Sequence, residues 1–164
     1  SVILIADAAG GYNSPQLPVT LSAWQTASIL PDWPEYAGET DDSLTFEDFY
    51  IASANHNDNL VISQYNAAED EVQYNFSYLI GDAPGSFSLP ERIFNHYVEI
   101  ESAVDNFYHF TAGGAVHTIL RSPIFYEYEV EGIRFVDWVS ELINSGRVSD
   151  VSCVNEASGC KNAP

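Results

Sequence analysis

The stretch LVISQYNAAEDEVQYNFSYLI, residues 60–80, carries the clearest secondary-structure signal in the chain. Two segments of high β propensity flank the residues AAED, a spacing that predicts a β-hairpin with a four-residue loop. In the second segment, apolar and polar residues alternate from Val72 to Ile80, as in a strand with one buried face. If Asn66 pairs with Glu71, the apolar faces of both segments coincide, which supports this register. The stretch therefore predicts an antiparallel sheet.

Further strands and one helix are expected on either side of this hairpin. Residues 2–6 read as a short apolar strand, and residues 1–18 as an N-terminal strand followed by a flexible loop that is rich in turn-forming residues. Alternation predicts another half-buried strand at residues 124–131. Residues 134–146 carry an apolar stripe at helical spacing and end at Gly146, which is typical of an amphipathic helix and its C-terminal stop.

Three other segments have ambiguous periodicity. Residues 19–30 and 43–52 fit a helix or a strand, and residues 91–102 fit a helical turn that leads into a strand. The whole chain, residues 1–164, is predicted to be a single α+β domain, an antiparallel β-rich sheet with a C-terminal amphipathic helix. A β-sandwich is the alternative.

The net charge of the chain limits the classes of partner that it can bind. Twenty-four Asp and Glu residues face five Lys and Arg residues, for a net charge of −19. Such a surface repels phosphates, which excludes nucleic acid and anionic membranes as partners. No apolar run approaches the roughly 18 residues that span a bilayer, so membrane insertion is not expected. The partners we expect are a protein, a glycan or a second copy of the chain.

Several features favour an exported protein. The chain begins with Ser1 and contains no methionine, which fits removal of a leader. Cys153 and Cys160 have no neighbouring zinc ligands, so a local disulfide that ties down residues 147–164 is the simpler interpretation. We therefore expect a secreted, extracellular or periplasmic protein. Asn75, in the triplet NFS, is a possible glycosylation site in a eukaryotic source.

The stretch FYHFTAGGAVH, residues 107–117, holds two of the four histidines. A tight turn at Gly113 and Gly114 would place His109 and His117 on opposite faces of a hairpin. A three-residue turn would instead place them opposite each other, as a metal or catalytic pair. The tight turn is the favoured composition, so a shared site is not the expected outcome.

The remaining site candidates rest on single neighbours in sequence. His96 and Glu99 would lie one turn apart on a helix and could form a pair for acid–base catalysis. His109 is the third candidate for a catalytic residue. Trp33 and Tyr36 lie between prolines in a loop, where exposed rings can stack on sugars or anchor a partner.

The acidic runs do not form a recognisable metal site. Residues 39–42 and 68–71 could bind calcium weakly, but neither has the ligand spacing of an EF-hand loop. Glu127, Glu129 and Glu131 would share one strand face, where a solvated surface is the simpler interpretation. No metal site and no cofactor are therefore predicted, apart from this weak Ca²⁺ possibility.

No catalytic motif is present. The chain lacks a G-x-S-x-G elbow, a phosphate-binding loop and a C-x-x-C pair. This favours a secreted acidic binding, adhesion or assembly module without catalytic activity, in one version of which residues 2–6 add a strand to a neighbouring subunit. The alternatives are a secreted glycan-acting hydrolase that uses carboxylates and a histidine, and a secreted toxin or effector.

Overall fold

A computed structural model of the chain describes residues 1–10 and 13–153. Its centre is a four-stranded sheet of order β1-β2-β3-β6, in which every neighbouring pair is parallel. These strands are β1 (Val2–Asp7), β2 (Leu60–Ala67), β3 (Phe107–Ala112) and β6 (Val151–Ser152). Two further strands, β4 (Glu129–Val130) and β5 (Ile133–Arg134), form a separate antiparallel pair.

Helices connect the parallel strands. The described residues contain six α-helices: α1 (Leu17–Trp24), α2 (Thr26–Ile29), α3 (Phe46–His56), α4 (Glu71–Leu79), α5 (Leu89–Ala103) and α6 (Phe135–Ser145). Short 3-10 helices occupy Pro34–Tyr36 and Pro123–Tyr126.

Helices cover the sheet on both faces. On one face, Ile62 of β2 and Phe107 of β3 pack against α3 and α5. On the other face, Tyr65 of β2 and Phe110 of β3 pack against α6. Because the sheet lies between two helical layers, the last six residues of β2 are all buried, including its polar ones. This two-sided burial is typical of parallel sheets.

The predicted antiparallel β-rich domain is therefore wrong, and so is the β-sandwich alternative. The molecule is an α/β protein with a mostly parallel central sheet. The error lies at residues 71–80, because the first strand of the predicted hairpin exists as β2 but the second is helix α4. The carboxylate of Asp70 accepts hydrogen bonds from the backbone N–H groups of Val72 and Gln73. This N-terminal cap favours a helix, and it outweighs the alternation of apolar residues that follows.

Other segments divide between confirmed and wrong predictions. The C-terminal helix is confirmed as α6, and Gly146 follows it in the left-handed conformation with φ of 70°. The strand predicted within residues 91–102 is wrong, because that segment belongs to α5. The strand predicted at residues 124–131 is reduced to a 3-10 helix and the two residues of β4. Both ambiguous segments, 19–30 and 43–52, contribute to helices.

The two ends of the chain carry other predictions. β1 covers the predicted strand at residues 2–6 and pairs in parallel with β2 of the same chain. Cys153 is buried directly after β6, whereas Cys160 lies outside the described residues. The predicted Cys153–Cys160 disulfide therefore extends outside the described residues and stays a prediction. In the same residues, no helix has the length and apolar character needed to cross a membrane.

Candidate functional site

The parallel sheet brings polar residues together at its carboxyl edge. Asp7 is the last residue of β1, Asp70 follows the end of β2 by three residues, and His117 follows the end of β3 by five. All three strands run in the same direction, so these ends meet on one side of the sheet. Ligand and catalytic sites of open α/β sheets typically lie at this edge.

Asp70 and His117 form a hydrogen-bonded pair at this edge. The Nδ1 atom of His117 lies 2.8 Å from Oδ2 of Asp70. The Asp70 side chain is completely buried, whereas the His117 side chain is 36 % exposed. The pair therefore has one partner inside the protein and one that reaches solvent.

The Asp70 carboxylate is held by its own helix as well. Its Oδ1 accepts from the backbone N–H groups of Val72 and Gln73, at 2.9 and 3.1 Å. Its Oδ2 accepts from the Gln73 side-chain amide at 3.1 Å in addition to His117. Four donors compensate for the loss of water around a buried carboxylate, and they fix its orientation.

The loop that carries His117 is tied down after the histidine by Asp7. The two carboxylate oxygens of Asp7 accept the backbone N–H groups of Ile119 and Leu120, at 3.0 and 2.9 Å. Ile119 is completely buried. The end of β1 therefore anchors the loop that follows β3.

The same loop is tied down before the histidine by two tyrosines. The hydroxyl of Tyr65, on β2, donates to the carbonyl of Val116 at 3.3 Å. The hydroxyl of Tyr128 donates to the carbonyl of Gly113 at 2.5 Å. Hydrogen bonds to Asp7, Tyr65 and Tyr128 therefore hold the backbone on both sides of His117.

This arrangement makes His117 a competent general base. Its Nδ1–H donates to the Asp70 carboxylate, which leaves the lone pair on Nε2 and holds the ring in that tautomer. A positioned imidazole of this kind accepts a proton from a hydroxyl group or water molecule during nucleophilic attack. Among the described residues, no serine, threonine or cysteine side chain hydrogen-bonds to His117.

A buried network of hydrogen-bonded amide side chains starts at Asp70 and continues along β2. The Gln73 amide nitrogen donates to Asn66 Oδ1 at 3.0 Å, and the Asn66 amide nitrogen donates to Gln64 Oε1 at 3.1 Å. Asn66 also donates to the Tyr97 hydroxyl at 2.7 Å. Each of these side chains is at most 1 % exposed.

At the other end of this hydrogen-bonded network lies a second histidine–carboxylate pair. The Gln64 amide nitrogen lies 2.8 Å from Nε2 of His96, and Nδ1 of His96 lies 2.6 Å from Oε1 of Glu47. The His96 and Glu47 side chains are each 1 % exposed. Since the Gln64 amide can only donate from its nitrogen, Nε2 of His96 is the acceptor and its proton sits on Nδ1.

The structure gives the predicted catalytic residue His96 a partner that sequence spacing did not indicate. His96 bonds to Glu47, a residue of α3, rather than to Glu99. Glu99 is exposed, and partial burial raises the pKa of its carboxyl, with smaller contributions from the charges of Glu47 and Asp48. His96 is too deeply buried to meet a substrate in this structure, so its proposed catalytic role finds no support in this geometry.

His109 and His117 have different partners. His109 is the third residue of β3, where its ring stacks on Tyr97 with centroids 3.9 Å apart and its Nε2 lies 3.1 Å from Oε1 of Glu101. Burial lowers the pKa of His109, and the neighbouring Asp150 carboxylate and Val151 backbone offset only part of this effect. No shared His109–His117 site is formed.

The predicted binding residues fold back onto the protein. Trp33 stacks on His56 with centroids 4.0 Å apart and on Tyr36 at 5.8 Å. Both Trp33 and Tyr36 are half-buried and line a shallow groove between the 3-10 helix and α2. Asn75 is exposed on α4, and its glycosylation stays a prediction.

A second groove, of about 480 Å³, is lined in part by sequence neighbours of Asp70 and His117. It is lined by Glu69, Glu71, Tyr74, Asn75, Tyr78 and Ala115. The two tyrosines project from successive turns of α4. Two carboxylates and two aromatic rings therefore line this groove, whereas Asp70 and His117 themselves do not.

The sequence reasoning missed Asp70 and His117 as a pair. The available signal was their position, since each follows shortly after a segment with strand-forming residues. In an antiparallel hairpin that position has no special meaning, whereas in a parallel sheet it marks the ligand-binding edge. Comparison with protein-family models, with curated proteins and with solved structures finds no match for this chain.

Proposed function

We propose that the protein is a hydrolase in which His117 acts as the general base and Asp70 orients it. The observation that carries this proposal is the 2.8 Å hydrogen bond between a fully buried carboxylate and a partly exposed imidazole. Here one nitrogen is fixed inside the protein and the other edge of the ring is open.

Acyl transfer is the reaction class that fits this pair best. Glycosidases use two carboxylates that flank the scissile bond, whereas an acid–histidine pair serves attack on an acyl carbon. In the reaction, Nε2 of His117 takes the proton of a hydroxyl group or water molecule as its oxygen attacks the acyl carbon. The same proton is then given to the leaving oxygen. The order along the chain, acid before histidine, is also the order found in α/β-hydrolases.

The neighbouring groove favours an uncharged substrate with sugar rings. Tyr74 and Tyr78 line this groove, and aromatic side chains of this kind stack on sugars, although the Tyr74 ring also stacks on Phe87. Glu69 and Glu71 at the same groove, together with a net charge of −19, repel anionic substrates. An acyl ester of a neutral glycan combines these requirements, so the hydrolase alternative from the sequence is retained with a different pair of residues.

The other functional predictions gain no specific observation. The acidic binding or assembly module, the donated N-terminal strand and the toxin or effector remain predictions, as does export from the cell. Each is compatible with a surface that is acidic, but none explains why Asp70 is buried beneath an exposed histidine.

Hydrolysis assays test the proposal. The purified chain is assayed on p-nitrophenyl acetate and on an acetylated neutral oligosaccharide, beside the variants His117→Gln and His56→Gln. His56 is an exposed histidine whose ring contacts Glu35, so its variant is a matched control. We expect His117→Gln to lose about 10²- to 10⁴-fold in rate, as for removal of a general base, while His56→Gln keeps the wild-type rate.

A labelling experiment identifies the attacking group. A fluorophosphonate probe followed by peptide mass spectrometry labels a hydroxyl that His117 activates, and the His117→Gln variant loses this label. Hydrolysis without labelling indicates attack by water. If the wild-type chain hydrolyses neither ester, or if His117→Gln hydrolyses both at the wild-type rate, the proposed function is wrong.

A further inference from the structure

A second cluster of ionisable groups involves His109 rather than His117. His109 lies within β3, Asp150 directly precedes β6, and Glu101 lies in the last turn of α5. One ligand atom from each of these three side chains lies within 4.8 Å of the other two. The cluster thus joins two neighbouring strands and the helix that leads into β3.

The His109 ring is rigidly placed in this cluster. Its side chain is 9 % exposed, and it stacks on Tyr97 with an interplanar angle of 5°. Its Nε2 points at Oε1 of Glu101, at 3.1 Å. Its Nδ1 is buried and forms no well-aligned hydrogen bond within residues 1–10 and 13–153, although the Val151 backbone hydrogen-bonds weakly to the ring. So little hydrogen bonding at a buried imidazole is costly, which makes the ring a candidate for a ligand.

Asp150 is also pre-positioned. One of its carboxylate oxygens accepts the backbone N–H of His109 at 2.9 Å. This bond holds the carboxylate beside the imidazole and leaves its other oxygen available. Glu101 and Asp150 bring two negative charges to the same small volume with no lysine or arginine contacting either of them among the described residues.

We infer that Glu101, His109 and Asp150 bind a divalent transition-metal ion, with Zn²⁺ as the best fit. One imidazole nitrogen and two carboxylates form a donor set that zinc accepts, and three protein ligands leave a position for water. Ca²⁺ and Mg²⁺ prefer oxygen ligands alone, so the imidazole disfavours them. This inference differs from the sequence-based prediction of no metal site, which itself stays a prediction.

The present spacing is close to that of a zinc site. Zinc ligands lie about 2.0–2.2 Å from the ion, so ligand atoms within 4.8 Å of one another need at most a small contraction to bind it together. The Glu101 side chain is 37 % exposed and can move toward the ring, whereas Asp150 is held beside the ring by its hydrogen bond to the His109 backbone N–H. His109 and Asp150 are therefore the fixed members, and Glu101 is the ligand that closes on them.

Calorimetry with Zn²⁺ alone tests the inference. The purified full chain is titrated with ZnCl₂ in about 0.15 M salt, where diffuse attraction to an acidic surface is screened, with Mg²⁺ and Ca²⁺ present in excess. We expect one site per chain. The variant Glu101→Gln should bind at least tenfold more weakly, whereas Glu99→Gln should bind like the wild type. Glu99 is an exposed carboxylate on the same helix, so its variant removes an equal charge outside the cluster.

Two further measurements keep the test decisive. His109→Gln should abolish the site, and Asp150→Asn should weaken it while keeping an oxygen for the His109 backbone N–H. If His109→Gln fails to fold, Glu101→Gln still decides, because its side chain is partly exposed. The inference is overturned if the wild type shows no saturable Zn²⁺ binding, or if Glu101→Gln and Glu99→Gln weaken it equally. Neither result depends on hydrolytic activity, so the proposed function stands or falls separately.

Discussion

The substitution Asp70→Asn separates the orienting role of Asp70 from its structural role. In the wild type, Oδ1 of Asp70 caps α4 and Oδ2 accepts from His117 and from the Gln73 amide. In the variant, the asparagine oxygen keeps the helix cap, since backbone N–H groups can only donate. Its NH₂ group then faces His117, and Nδ1 of His117 must become the acceptor. The proton moves to Nε2, and the lone pair needed for the proposed base catalysis is lost.

The structure sets the size of both effects. A histidine held in the wrong tautomer loses about 10⁴-fold in rate in an acid–histidine–serine enzyme, and we expect a loss of about 10³- to 10⁴-fold here. The new NH₂ group also faces the Gln73 amide nitrogen, so one buried donor loses its acceptor. This costs about 1–3 kcal/mol in the free energy of unfolding.

Nuclear magnetic resonance of the imidazole nitrogens measures the tautomer directly, and the His117→Gln spectrum assigns the resonance. We expect Nδ1–H in the wild type and Nε2–H in Asp70→Asn, with urea unfolding and ester hydrolysis measured on the same samples. The reasoning is refuted if His117 keeps Nδ1–H in a folded Asp70→Asn variant. It is equally refuted if the tautomer changes but the hydrolysis rate does not.

Three further predictions test the surroundings of the site. Gly10→Ala places a Cβ atom 2.7 Å from Asn66 Oδ1 and 3.0 Å from Gln73 Oε1, so we expect urea unfolding to show a loss of about 1–3 kcal/mol from overpacking. Thr45→Ala removes the capping box of α3 with Asp48, which should cost about 1 kcal/mol in the same assay and leave the His117 tautomer unchanged. Burial acts to raise the pKa of the Asp82 carboxyl, but Arg92 and the Ser14 hydroxyl outweigh it and hold the pKa below its usual value. The stabilisation from Asp82 is thus present above about pH 4 and lost below it, and Asp82→Asn should unfold more readily at pH 7 but show a shallower acid transition.

Part of the fold could be predicted from local sequence. The apolar run at residues 2–6 predicts a strand, and the apolar stripe at residues 134–146 predicts a helix, without any knowledge of tertiary contacts. Both elements are present, as β1 and α6. In α6, Phe135, Val139 and Leu142 of the predicted stripe are buried, whereas Ile143 is exposed. The stripe therefore predicted the helix and most of its inner face.

Other elements depended on information that periodicity does not contain. In α4, Val72 and Leu79 are exposed and the buried positions are Gln73 and Ser77. The apolar residues thus do not mark the inner face, because that face meets polar side chains of the buried network. The decisive signal was Asp70 at the N-cap position, which predicts a helix. This single residue outweighed the alternation over the nine residues 72–80, which predicts a strand.

The errors in fold and in site have one physical cause, which is the direction of the chain after β2. A four-residue hairpin would reverse the chain at Asp70 and pair residues 71–80 with β2, leaving Asp70 in a turn with no relation to His117. With α4 and α5 in the connection, β3 returns parallel to β2, so its end and the end of β2 meet at one edge. Only then does the loop after β3 reach a carboxylate buried beneath it. The Asp70 carboxylate both starts the helix that permits this crossover and holds the histidine that the crossover delivers. Fold and candidate site therefore depend on the same four hydrogen bonds.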